Sequence, residues 1–171
     1  MARYSGRRGF SLVEVMVVVT IISLLAMIAV PTFGRIKRKA KIAVVVGDFR
    51  VFAGAFDTYS QEMGKWPADS AAGVFPTGMD DRINKAQWRR ITPLGGQYNW
   101  EYRQLGFGAS TPTQAAIAIS TTAAAPFTVD ATVLTDLEGA IDGSAVLTLQ
   151  SISGGTFRAG SSLNPFYVIA P

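Results

Sequence analysis

The sequence predicts an α+β fold, and three observations carry that prediction. An apolar run of 21 residues, Phe10 to Val30, holds a single charge, Glu14. A second stretch repeats apolar residues at helical spacing: Ile42, Val45, Phe49, Phe52, Phe56, Tyr59 and Met63. Beyond Gly64 the texture changes to short alternating segments separated by Gly, Pro, Asp and Ser, as in a small antiparallel sheet. One long N-terminal helix laid against such a sheet buries the apolar face of each.

The apolar run is long enough to cross a bilayer as a helix, since roughly 20 residues at about 1.5 Å each match the hydrocarbon thickness. An acid at the centre of such a helix costs about 2.5–3.5 kcal/mol, and less near an end. Glu14 is therefore either wet at the interface or held by a partner. Ahead of the run lies a short basic segment with Arg3, Arg7 and Arg8 and no acid, which looks like the start of a targeting signal. Its small residue, Gly9, precedes the apolar run. Secretory cleavage sites follow theirs, and here Ala26 and Ala29 run into Pro31 and a basic cluster.

The segment Gly9-Phe10-Ser11-Leu12-Val13-Glu14 resembles the class III signal of type IV prepilins and type II secretion pseudopilins. The resemblance covers about the first 30 residues. It implies a leader, residues 1–9, cut between Gly9 and Phe10 by a prepilin peptidase that methylates the new N-terminus at Phe10. Glu14 falls where the family carries its assembly glutamate, whose partner is the terminal amine of a neighbouring subunit. Pro31 falls where many members have a helix-kinking proline. The implied layout is residues 10–64 as the N-terminal helix, with 10–30 as membrane span and later filament core, and 65–171 as a globular α+β head. The implied setting is the bacterial inner membrane, single-pass, head in the periplasm, then a filament. The implied partners are other pilin-like subunits, in a homo- or hetero-oligomer, and the assembly platform and its ATPase.

Composition narrows the chemistry. There is no cysteine and no histidine, which removes disulfides, Ser-His-Asp and Cys-His catalysis and most zinc sites. No enzyme activity, cofactor or metal is expected. The net charge is +4, but without residues 1–9 it is +1, from thirteen basic against twelve acidic residues. Five of the thirteen are Arg35, Lys37, Arg38, Lys39 and Lys41. From Ile42 onward eight basic residues face eleven acidic ones, so the head has no field of its own for nucleic acid. The basic cluster suits headgroup contact or contact with acidic surface on neighbouring subunits. Counted alone, five cations after the run would put the bulk of the chain in the cytoplasm; the resemblance implies the reverse, because Gly9 must meet the peptidase at the cytoplasmic face.

A helix through Met63 would run about 80 Å from Phe10, with Gly64 as C-cap and Pro67 preventing resumption. Residues 66–81 read as a loop, and Asp80-Asp81-Arg82 as the start of a helical turn reaching Trp88. Residues 91–102 read as a hairpin reversing at Gly95-Gly96, with Tyr98, Trp100 and Tyr102 on one face. Residues 115–121 read as a strand, 130–141 as a helix capped by Asp130 and ended by Asp142-Gly143, and 145–151, 156–158 and 166–169 as strands.

Asp136, Glu138 and Asp142 lack the ligand spacing of an EF-hand and read as a solvated acidic helix face. Asp80-Asp81 reads as turn residues. Gly106-Phe107-Gly108 lacks the rest of a phosphate loop. Two functions follow: a filament subunit, or a minor tip subunit whose head grips DNA, a surface or an exported substrate through Tyr98, Trp100 and Tyr102. The sequence lacks the Asp-Pro-Trp-Gly-like segment and the calcium loop usual in the major pseudopilin, so the resemblance stops short of naming the machine served.

Overall fold

The computed structural model describes residues 9–104, 113–127, 131–143, 155–159 and 164–170. Its elements are α1 (Leu12–Met63), α2 (Lys85–Arg89), β1 (Gln97–Gln104), β2 (Thr113–Ser120), α3 (Ala131–Ile141), β3 (Phe157–Ala159) and β4 (Pro165–Ala170). Contacts divide the chain into two units, residues 1–38 and 39–171.

In the first unit only α1 is described as a regular element. Its ladder opens with the Glu14 and Val15 amides donating to the Ser11 carbonyl at 3.1 and 3.3 Å. The helix therefore starts at Leu12, two residues later than the apolar run. Every large apolar side chain from Leu12 to Ile36 is exposed. The hydroxyls within the run are satisfied by their own helix: Thr20 donates to the Met16 carbonyl at 2.8 Å, Ser23 to Val19 at 2.7 Å and Thr32 to Ile28 at 3.1 Å. Pro31 lies inside the helix without ending it, although it offers no N–H to the turn below.

In the second unit, residues 39–63 of α1 present one face to the sheet. Ile42, Val45, Phe49, Phe52 and Phe56 are buried as the stripe predicts, and Val46 and Asp48 join them. Tyr59 is partly buried, and Met63 is 53 % exposed, so the stripe ends a turn early. Gly64 has φ +65°, the left-handed cap that stops the helix.

The sheet has the order β1-β2-β4-β3, antiparallel throughout. Its register pairs Tyr98 with Ile119, Trp100 with Ile117, and Tyr102 with Ala115. Alternation puts these six on the α1 side of the sheet, where they join one core with α1. Phe56 stacks on Trp100 with centroids 3.8 Å apart and planes 5° apart, and Phe52 meets Tyr98 edge-on at 5.1 Å. Leu134 and Leu137 of α3 and Phe157 of β3 complete the cluster. The buried indoles keep partners, Trp88 Nε1 on the Val74 carbonyl at 2.8 Å and Trp100 Nε1 on Pro67 at 3.1 Å.

The expected hairpin across Gly95-Gly96 is not formed. Residues 91–94 make a turn, not a strand: the Gly95 amide donates to the Thr92 carbonyl at 2.9 Å and the Thr92 amide to Gly96 at 3.0 Å. β1 pairs instead with β2, and its outer edge is covered by the loop before α2. There the Ser70 amide donates to Trp100 at 3.0 Å, the Gly73 amide to Tyr98 at 2.8 Å, and Asp69 Oδ1 accepts the Tyr102 amide at 3.0 Å. That loop already occupies the edge a preceding strand would need.

The helical turn expected from Asp80 to Trp88 forms in two pieces: the Arg82 and Ile83 amides both donate to the Met79 carbonyl at 3.1 Å, and α2 then starts afresh. Asn84 is the N-cap of α2, its side chain accepting from the Ala86 and Gln87 amides at 2.9 and 3.2 Å. The strands expected over 156–158 and 166–169 are β3, Phe157–Ala159, and β4, Pro165–Ala170, each boundary one residue from expectation. The Asp130 cap, the strand over 145–151 and Gly106-Phe107-Gly108 lie outside the described residues.

Candidate functional site

Residues 9–33 form the first candidate site. Gly9 and Phe10 precede α1 and are exposed, Phe10 at 81 %. Glu14 lies in the first helical turn, where the helix dipole favours a carboxylate. The next acid in the chain is Asp48. The apolar surface that follows Glu14 runs unbroken around the helix, because its three hydroxyl groups turn their polarity inward onto carbonyls. By length and composition α1 can cross a membrane. Pro31 sits near the end of this surface. Of the basic cluster, Arg35, Lys37, Lys39 and Lys41 are exposed and Arg38 is half-buried.

The head aromatics occupy a different environment. Tyr98 and Trp100 are completely buried and Tyr102 is half-buried. Tyr98 and Trp100 are therefore removed as surface contacts: their alternation faces the core because the opposing α1 stripe supplies Phe49, Phe52 and Phe56 to pack against them. Only Tyr102 retains access to solvent.

The feature that sequence reading missed is Asp48. It is 5 % exposed on the buried side of α1. Its Oδ2 accepts from the Tyr98 hydroxyl at 2.6 Å and from Arg90 Nη2, and its Oδ1 from Gln87 Nε2 at 2.7 Å. Three segments, α1, α2 with its cap residue, and β1, converge on one carboxylate. Burial, and then the bond to Asp48, push the Tyr98 phenol well above its usual range; the same carboxylate raises Arg90. The group is saturated and structural. A signal existed: Val45, Asp48 and Phe52 share the three-and-four spacing, so an acid fell on the core face.

The acidic face of α3 also differs from expectation. Glu138 is 8 % exposed rather than solvated, with Oε2 unpartnered among the described residues, while Asp142 is exposed and its Oδ2 accepts the Phe157 amide at 2.8 Å. Among the described residues no three acidic, histidine or cysteine side chains cluster as a metal site.

With this geometry in place, comparison with known proteins gives a class of segment first. Residues 4–30 match the family model described as the prokaryotic N-terminal methylation motif. The particular relatives are fimbrial and secretion proteins. The fimbrial protein EcpC of Eikenella corrodens is 35 % identical over 79 residues, 46 % of this chain and 52 % of that protein. The type II secretion system core protein G of Klebsiella pneumoniae is 39 % identical over 61 residues, 36 % of this chain and 44 % of its own length. That of Pseudomonas aeruginosa is 38 % identical over 60 residues, 35 % and 42 %. The chain thus spans about half the length of the curated relatives it matches, or somewhat less. No solved structure matches it.

Proposed function

We propose that this chain is a structural subunit of a type IV pilus-like or type II secretion pseudopilus filament. The observation that carries the reading is the uncharged, exposed apolar surface of α1 from Val15 to Phe33, set within and just beyond the methylation-motif match. Such a surface needs lipid or other helices around it. A filament subunit uses both in turn, first an inner-membrane bilayer and then neighbouring copies. The head is in the periplasm, and the leader, residues 1–9, stays on the cytoplasmic side until a prepilin peptidase cuts after Gly9 and methylates Phe10.

Glu14 then sets alignment. Its carboxylate pairs with the Phe10 amine of an adjacent subunit, and a misaligned subunit leaves a buried charge unpaired at a cost of several kcal/mol. Pro31 lets α1 bend where it leaves the apolar core. The cations Arg35, Lys37, Arg38, Lys39 and Lys41 rest among outer-leaflet headgroups before extraction. Farther along α1, on the face away from the sheet, Ala40, Val44, Gly47, Val51, Gly54 and Thr58 recur at spacings of three and four, all exposed and none charged. A row without charge or bulk on a solvent face suits close approach of another helix in the filament. Subunits of this kind, the assembly platform and its ATPase are the partners.

Glu14→Ala in the native host tests the alignment role. The variant is expected to reach the inner membrane at the wild-type level and to be depleted from sheared filaments. Incorporation at the wild-type level contradicts it.

A further inference from the structure

The buried carboxyl on α3 has no part in filament assembly as described above. Glu138 Oε2 is buried and has no hydrogen-bond partner among the described residues. One turn on, the Asp142 amide donates to the Glu138 carbonyl at 2.8 Å, so the two side chains share one helix face. Asp142 Oδ2 holds the Phe157 amide at 2.8 Å, the first residue of β3. The contact is close: a side-chain carbon at Gly155 would meet Asp142 Oδ2 at 2.3 Å. Among the described residues β3 has three residues and forms one edge of the sheet; its start is held by this bond and by the Val168 amide donating to the Thr156 carbonyl at 2.7 Å.

We infer that Glu138 and Asp142 form a proton-operated clasp at the junction of α3 and β3. When Glu138 carries a proton, its hydroxyl donates to the Asp142 carboxylate, which has acceptor capacity beyond the Phe157 amide. The buried oxygen is then satisfied and the junction is tight. When the proton leaves, a desolvated carboxylate stands one turn from a second carboxylate at the carbonyl end of a helix, and all three effects oppose it.

The surrounding charges do not relieve that opposition. On α3 itself the other acid is Asp136. From β3, Arg158 reaches the Gly155 carbonyl at 3.4 Å. From α1, Arg50 reaches the Ala140 carbonyl at 3.4 Å. Neither cation bonds to Glu138. Burial, and then the Asp142 charge, raise the Glu138 carboxyl above its ordinary value. A raised native value means that the stabilising contribution is complete in acid, below the ordinary glutamate range. It is lost as pH rises through the raised value. The clasp therefore tightens in an acidified exterior and loosens near neutrality.

Hydrogen exchange on the full chain in detergent micelles tests this, read on the peptide covering residues 155–159. After correction for intrinsic rates, protection is expected to rise about threefold or more from about pH 7.5 to about pH 4.5. Glu138→Gln, which supplies a permanent neutral donor, is expected to give the acid-level protection at both pH values. Asp142→Asn keeps an acceptor for Phe157 and is expected to shrink the pH response. Equal wild-type protection at both pH values overturns the clasp. So does Glu138→Gln behaving as wild type near neutrality, or an undiminished response in Asp142→Asn.

Discussion

The Tyr98 hydroxyl donates a 2.6 Å hydrogen bond to Asp48 Oδ2 across the buried interface between α1 and β1. The two residues are 50 positions apart, and the bond fixes how the helix is rotated and shifted against the sheet. Arg90 and Gln87 complete the shell, so the carboxylate is buried with its charge matched and its lone pairs used. Removing one partner leaves the others unsatisfied in a dry place. Asp48→Ala is expected to destabilise the head by about 2–4 kcal/mol and Tyr98→Phe by about 1.5–3 kcal/mol. Denaturant unfolding of the full chain in micelles checks both. The double variant should fall short of the sum of the singles, because the two changes remove the same bond.

Aromatic packing supplies the second prediction. Phe56 and Trp100 are both fully buried and stacked face to face. Phe56→Ala is expected to cost about 3–5 kcal/mol, and Phe56→Leu less, since much of the volume is kept. Near-ultraviolet circular dichroism should weaken in both variants, because Trp100 loses its stacked partner and, among the described residues, keeps only the tilted Trp66 ring at 5.6 Å.

The turn before β1 is intolerant of a side chain. Gly96 has φ +69°, and a carbon added there would meet Ile119 Cγ2 at 2.8 Å and the Ser120 carbonyl at 2.9 Å. The backbone oxygen cannot swing away as a flexible side chain would. Gly96→Ala is expected to cost about 2 kcal/mol or more, from left-handed strain and overpacking together. Gly47→Ala, in a helix with open space around it, is expected to be neutral to slightly stabilising. A thermal-shift comparison separates them.

On β1, Glu101 gives a pH prediction. Burial raises its carboxyl, the Asp69 charge adds to this, and the hydrogen bond from Asn99 opposes both. Because the native value lies above the unfolded one, stability from this site is fullest in acid and declines as pH rises through the raised value. Glu101→Gln removes that decline. The variant is expected to gain on the wild type at neutral pH and to match it in acid, read from unfolding midpoints across the range.

Much of this fold was legible because α1 repeats one rule over 52 residues. Apolar all round and then apolar on one side is a pattern that no other element reproduces, and Gly64 marks its end. The head was harder. Gly95-Gly96 signalled a reversal correctly, but nothing local states that residues 69–73 occupy the edge of β1 that an earlier strand would use. Tyr98 and Trp100 alternate as they would on either face of a sheet, and only the tertiary arrangement with Phe52 and Phe56 decides which. Glu138 read as solvated because three acids within seven residues usually are; its burial is set by tertiary packing, which spacing along α3 does not state. Asp48 was readable and was overlooked, since an acid between Val45 and Phe52 already violates the apolar stripe.

The central claim is that α1 is exposed at its apolar end so that a processed N-terminus can serve first in lipid and then in a filament. Mass spectrometry of the N-terminal peptide, taken from the membrane fraction and from sheared filaments of the native host, tests it most directly. The account predicts a chain beginning at N-methylated Phe10 in both fractions. A mature chain that retains residues 1–9 in both would contradict it.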